Sequence, residues 1–240
     1  MEWCMRIMVT GASSGLGRAF IEGLGNPGDT LIGVSRRVPV DLMARSQVSV
    51  DWIPADLSVP RVGVGTVAGG LKDSSLDVLI YNLGIWESRA FEADYRFQED
   101  DDEQIQSMIA VNVTSAILLV KHLLPALLRA EQPRIVLIGS TSGLPGNGRP
   151  EVAFNATKYA LSGIRDALRE GFREQHLAVT CVHPGYLDTG GTSTSHQAHG
   201  GSGWLIPLHD VVTMVRALLE LSADSFVREI CIPAIRDERF

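Results

Sequence analysis

The chain has 240 residues, 45% of them apolar and 20% charged, with a net charge of −7. That composition is ordinary for a soluble globular chain with one large core, and the acidic balance argues against nucleic acid or an anionic membrane as the main partner. Cys4, Cys181 and Cys231 are odd in number and widely separated, which argues against a disulfide framework or a zinc site and fits a reducing cytoplasm.

The first strand is predicted at residues 6–9, with Glu2 near its start and no signal peptide visible. It runs into Thr10-Gly11-Ala12-Ser13-Ser14-Gly15-Leu16-Gly17, and a helix follows to about residue 24, where Gly25, Asn26 and Pro27 stop it. Glycines between a strand and a helix allow a tight turn and close approach of a ligand to the backbone. The new helix points unpaired N–H groups and its positive end at that ligand, which suits a pyrophosphate. The spacing is Gly-x-x-x-Gly-x-Gly.

A second strand at residues 30–34 ends at Ser35-Arg36-Arg37. An acid at this position would bond the ribose hydroxyls of NAD(H); two guanidinium groups suit the 2′-phosphate of NADP(H), which is the favoured cofactor. A third strand, at residues 48–53, ends at Asp56 and Leu57, and a weak Gly-rich helix follows. The fourth strand, residues 77–81, ends at Asn82-Leu83-Gly84.

The acidic residues 99–103 start a long helix reaching about residue 128. Its apolar run at 116–128 is interrupted by Lys121, His122 and Pro125, too short and broken to cross a bilayer. The helix is apolar over more than one stripe, which fits burial in its own fold or a dimer interface.

The fifth strand, residues 134–139, delivers Ser140 to its end. A Gly/Pro-rich loop leads to a helix at about 152–175, with Phe154 and Lys158 one turn apart on one face. A sixth strand (178–183) is followed by Pro184, Gly185 and a polar loop at about 186–207. A last helix (208–221) and strand (226–232) close the chain. Strands alternating with helices predict a single α/β domain over residues 1–240, a doubly wound parallel sheet of seven strands in the Rossmann manner. His196 and His199 lie in the polar loop without a third ligand, so no metal is expected. Trp86, Tyr186 and Trp204 fall in loops expected to border a partly apolar small-molecule substrate.

In this order the motifs resemble the short-chain dehydrogenase/reductase family over nearly the whole chain. Thr10 to Gly17 matches its TGxxxGxG loop. Asp56 fits its adenine-contacting acid, and Asn82-Leu83-Gly84 its Asn-Asn-Ala-Gly segment, with Tyr81 and Leu83 at the changed positions. Asn112 falls at its proton-relay asparagine, Ser140 at its catalytic serine and Lys158 at its catalytic lysine. Pro184, Gly185 and Thr189 match the segment that contacts the nicotinamide. The resemblance implies an NADP(H)-dependent oxidoreductase built as a homodimer or homotetramer on its long helices.

One position departs. The family's Tyr-x-x-x-Lys reads Phe154-Asn155-Ala156-Thr157-Lys158, so the ring stays and the phenolic proton is lost. General acid–base catalysis is worth about 10²–10⁴-fold, so ordinary ketone reduction should be crippled. Tyr159 lies roughly 140° further around the helix and points elsewhere. Tyr186 is a substitute donor or, more simply, a pocket wall; His183 packs or caps. The functional readings are thus hydride transfer that dispenses with the phenol, a catalytically silent NADP(H)-binding protein, or an ordinary reductase carrying an introduced phenylalanine.

Overall fold

The computed structural model describes residues 4–39, 41, 48–71, 74–190 and 203–240. Short aliphatic and β-branched runs form β1 (Arg6–Thr10), β2 (Thr30–Ser35), β3 (Ser49–Pro54), β4 (Val78–Tyr81), β5 (Arg134–Ile138) and β6 (Ala178–Pro184). Two-residue strands β7 (Leu187–Asp188) and β8 (Ile206–Pro207) pair with each other, and β9 (Glu229–Ile232) comes last. The main sheet has seven strands in the order β3-β2-β1-β4-β5-β6-β9, every pairing parallel. This is the doubly wound sheet the sequence predicts. Its strand order reverses between β1 and β4, and ligands of open α/β sheets bind in the crevice at such a point, outside the carboxyl ends of the strands.

Alternation along the strands divides the core between two faces. Met8, Leu79, Tyr81, Ile135 and Leu137 pack to one side with α2 (Pro60–Leu71), α4 (Ser115–Leu127) and Leu161 of α5 (Val152–Gly171). Ile7, Val9, Val78, Ile80, Val136 and Ile138 pack to the other with α1 (Gly15–Gly23) and α6 (Leu208–Leu219). Burying both faces explains why these strands read as near-continuous apolar runs.

The long helix differs from its prediction. Glu99 belongs to a 3₁₀ turn (Phe97–Glu99), and α3 (Asp102–Ile109) begins after Asp101, whose carboxylate accepts from Gln104 N at 2.9 Å. A π-helical segment (Ala110–Thr114) then separates α3 from α4. By length and hydropathy the run Asp102–Leu127 could cross a membrane. Here Leu119, Val120, Leu123 and Leu127 are buried against the sheet, as in a core helix. The last strand starts at Glu229 rather than residue 226, and the last helix ends at Leu219 rather than 221. Most of the expected substrate loop, with His196 and His199, lies outside the described residues.

Candidate active site

The turn after β1 is shaped by its glycines. Gly11 and Gly15 have φ of +66° and +52°, the left-handed region that favours glycine. A Cβ at Gly17 would lie 2.1 Å from Gly11 O, so the loop closes only without one. Ser14 occupies the N-cap position of α1 in extended conformation and makes no side-chain cap, and the first turn of α1 has no acidic residue. Leu16 is buried beneath the turn and Ser13 is half-buried. Asn82 N and Leu83 N donate to Thr10 Oγ1 at 3.0 and 3.3 Å, tying the end of β4 to the loop. Thr189 approaches from the far side, its Cγ2 3.7 Å from where a Gly15 Cβ would sit.

At the end of β2 the structure places Ser35 with the exposed Arg36 and Arg37 beside it. Ser35 is buried and its hydroxyl is engaged: it donates to Arg37 O at 2.5 Å and accepts from Trp52 Nε1 at 3.1 Å. Hydrogen bonds from Ser58, with a contribution from Arg36, hold the exposed Asp56 carboxyl below its ordinary value. The Leu57 side chain is buried, and its carbonyl accepts from Ser115 Oγ at 2.6 Å.

Asn112 stands in the π segment, 1% exposed. Its Oδ1 accepts from Ile85 N at 2.9 Å, and its Nδ2 donates to Ile85 O at 2.8 Å and Thr157 Oγ1 at 3.0 Å. One side chain thus joins the segment after β4 to α5. Lys158, on α5, is 6% exposed and donates from Nζ to Ile138 O at 3.1 Å. Burial pushes its ammonium down to about 8. A Cβ at Gly84 would lie 3.2 Å from that nitrogen and 3.9 Å from Asn112 Oδ1. Ser140, at the end of β5, accepts from Ser142 N at 3.2 Å, which leaves its own O–H to donate elsewhere. His183 Nδ1 donates to Ser140 O at 3.0 Å.

Phe154 completes the group. Its ring is 6% exposed, with its centroid 5.5 Å from Lys158 Nζ. Phe91 meets it edge to face at 5.7 Å, Trp86 at 6.5 Å, and Phe91 meets Tyr186 at 5.7 Å. The Arg149 guanidinium lies 4.4 Å over the Tyr186 ring and donates to its hydroxyl. The Tyr186 hydroxyl thus accepts from Arg149 and keeps its own O–H, and burial raises its phenol. The Tyr159 hydroxyl donates to Leu144 O at 2.7 Å, away from this group.

Residues 5–200 match the family model described as short chain dehydrogenase. The chain belongs to that family. A human relative, inactive hydroxysteroid dehydrogenase-like protein 1, is 29% identical over 207 residues, covering 83% of this chain and 61% of the relative. The chain thus spans less than two thirds of that protein's length. A 3-oxoacyl-[acyl-carrier protein] reductase from Brucella melitensis, solved in complex with NAD, superposes with a TM-score of 0.81 at 20% identity over 96% of both chains. A metagenomic short-chain oxidoreductase in complex with NADP gives 0.73 at 22% identity over 96% of both chains. At such identities these two likenesses bear on the fold.

Within this short-chain dehydrogenase fold, the structure gathers Asn112, Ser140, Phe154 and Lys158 at the carboxyl ends of β4 and β5, beside the glycine turn. Pro184 ends β6, and Gly185 N donates to Ile232 O at 2.8 Å, which fixes the start of the segment leading to Tyr186 and Thr189. Trp204 is half-buried next to Gly203, whose carbonyl accepts from Arg236 N at 3.0 Å. Sequence reasoning missed Phe91, Glu87, Glu151 and Arg149. Acids and an arginine in loops read as solvated surface, and only the fold shows that Glu87 and Glu151 are buried.

Proposed function

We propose that this chain is an NADP(H)-dependent oxidoreductase that moves hydride to or from a small, partly apolar substrate without a tyrosine acid at residue 154. The observation that carries the reading is the buried Lys158 ammonium, held by Ile138 O between Gly84 and Phe154. The glycine turn and the uncapped start of α1 fit a pyrophosphate. Arg36 and Arg37 fit a 2′-phosphate, and Lys158 a ribose hydroxyl pair. A nicotinamide bound there supplies the hydride.

The rest falls to the protein. Ser140 donates its hydroxyl proton as a hydrogen bond to a substrate oxygen, stabilising charge that develops on it. Phe154 takes the place that tyrosine holds in the family and has no proton to give. Hydride addition to an iminium carbon yields a neutral amine with no proton required. Addition to the β-carbon of an enone yields an enolate that Ser140 can hold until solvent protonates it. Ketone reduction to an alcohol needs the missing donor.

A second reading, a cofactor-binding protein without turnover, is favoured by Phe154 together with a relative whose own name calls it inactive. NADPH oxidation across ketones, enones and imines, with Phe154→Tyr alongside, separates the two. The first reading expects turnover of enones or imines, with ketone reduction gained at about 10²–10⁴-fold in Phe154→Tyr. Cofactor binding with no turnover on any substrate supports the second. Wild-type ketone reduction that Phe154→Tyr leaves unchanged refutes the lost-donor argument. We also infer a homodimer across α3, α4 and α5, where Ile109, Ile117 and Tyr159 are 40%, 47% and 41% exposed; light scattering that returns a monomer mass would refute it.

A further inference from the structure

The segment after β4 and the start of α5 exchange a reciprocal pair of hydrogen bonds. Glu87, in the segment, accepts from Phe154 N at 3.0 Å. Glu151, at the N-cap position of α5, accepts from Phe91 N at 2.7 Å. Each acid thus holds the amide of an aromatic residue on the opposite element. The two rings so held meet at 5.7 Å and 90°. Phe91 has φ of +69°, a left-handed backbone that a non-glycine residue adopts only when its surroundings impose it.

The carboxylates themselves are poorly provided for. Glu87 is 0% exposed and Glu151 3%. One oxygen of each, Glu87 Oε2 and Glu151 Oε2, is buried without a hydrogen-bond partner among the described residues. The surrounding charges do not offset theirs. Asp100, whose Oδ2 accepts from the Tyr95 hydroxyl at 2.5 Å, adds a third acid. Arg89 is turned to Glu92, Asp94 and Glu99, and Arg149 lies on Tyr186. Two ionised carboxylates in such a junction repel each other and lose hydration. A single proton turns one orphan acceptor into a donor.

We propose that the reciprocal Glu87–Phe154 and Glu151–Phe91 bonds form a proton-dependent latch, closed by protonation of Glu87, that presses residues 86–91 onto the start of α5. The latch makes Glu87 and Glu151 positioning residues for the Phe91–Phe154 wall. That last role rests on reading the cleft as a substrate site; the protonation does not. Burial, followed by the charges of Asp100 and Glu151, raises the Glu87 carboxyl above its ordinary value, against the lowering effect of its backbone bonds. A raised carboxyl means that the folded chain binds more protons than the unfolded one above the ordinary glutamate value. The latch is therefore fully closed below that value and weakens as pH rises through the Glu87 value.

Trp86 adjoins Glu87, is 55% exposed and lies 6.2 Å from the Phe91 ring, so its emission reports the latch. The experiment titrates the full chain without cofactor from about pH 4 to pH 9, from the ordinary carboxylate range upward, and subtracts the same titration of Trp86→Phe. A one-proton step specific to Trp86 is expected. Glu87→Gln, whose amide donates at every pH while its oxygen still accepts from Phe154 N, should abolish the step and keep the low-pH emission. Glu151→Gln removes a like charge and should move the midpoint down. The absence of a Trp86 step, its survival in Glu87→Gln, or an unmoved midpoint in Glu151→Gln overturns the proposal. NADPH affinity measured in parallel keeps failure of the enzymatic reading separate, because the step needs no cofactor.

Discussion

Tyr81→Phe removes one oxygen from the buried junction between β4 and the π segment. In a regular helix Ser115 N would donate to Val111 O; here it donates to Ala110 O, one residue further back. The Tyr81 hydroxyl donates to Val111 O instead, at 2.5 Å, with Tyr81 0% and Val111 3% exposed. Phenylalanine leaves that carbonyl buried without its donor, at a cost of about 1–3 kcal/mol. For a chain of this size each kcal/mol lowers the melting temperature by roughly 2–4 °C. Thermal and urea unfolding of Tyr81→Phe should both register the loss.

The same substitution should reach the site. If the helix relaxes to regular geometry, Ser115 N recovers Val111 O and the residues before it turn by about 100° relative to α4. Asn112 then leaves Ile85 and Thr157. Protection of the Asn112 side-chain amide protons should fall, and cofactor affinity with it. A stability loss below about 0.5 kcal/mol, the range of neutral surface changes, with Asn112 protection and cofactor affinity unchanged, would refute the assignment of Tyr81 as the π-segment donor.

Other changes test the remaining parts. Gly17→Ala places a Cβ 2.1 Å from Gly11 O and 2.7 Å from Asn82 Nδ2, so calorimetry should find NADPH binding lost. Arg36→Ala with Arg37→Ala should weaken NADPH at least tenfold more than NADH, about 1.4 kcal/mol of discrimination; an equal loss for both cofactors would refute 2′-phosphate recognition. Because Lys158 is lowered to about 8 by burial, the folded chain binds fewer protons than the unfolded one up to the ordinary lysine value of 10.5. Lys158→Met should therefore raise the melting temperature at pH 7 while abolishing cofactor binding, and the gain should shrink as pH rises through 8. Burial also lowers His183, so stability falls as pH drops below 6.5, where the unfolded chain binds a proton that the buried imidazole resists. His183→Asn should flatten that acid limb of the melting curve.

The strands, the glycine turn and the order of the motifs were legible because each rests on local chemistry: alternation, turn residues and helix starts. The π segment was not, since apolar residues from Ile105 to Leu127 continue a helical rhythm through it. What marks it is a bond across elements: the Tyr81 hydroxyl reaches Val111 O from a strand 30 residues away. Ser35 was placed correctly at the end of β2, but Trp52 on the neighbouring strand claims its hydroxyl, a contact that no reading of β2 alone contains. The reciprocal Glu87–Phe154 and Glu151–Phe91 bonds escape for the same reason, as they join segments 60 residues or more apart.

Those long-range bonds bear on Phe154 itself. On the proposed reading Phe154 stands where the family has a tyrosine, and a ring replaced without consequence for its surroundings would be free to shift in a polar cleft. Here the Phe154 amide is held by Glu87, and its ring is braced by Phe91 and Trp86 on one side and faced by the Lys158 ammonium on the other. Tyr186, whose ring meets Phe91, accepts from Arg149 at its hydroxyl. The site keeps Lys158 buried and only partly relieved by Ile138 O, which is destabilising unless a ligand makes use of the charge. Under the proposed function, this apolar wall beside a buried cation and a serine hydroxyl orients and polarises a substrate, with proton delivery left to another group or made unnecessary by the substrate's own charge.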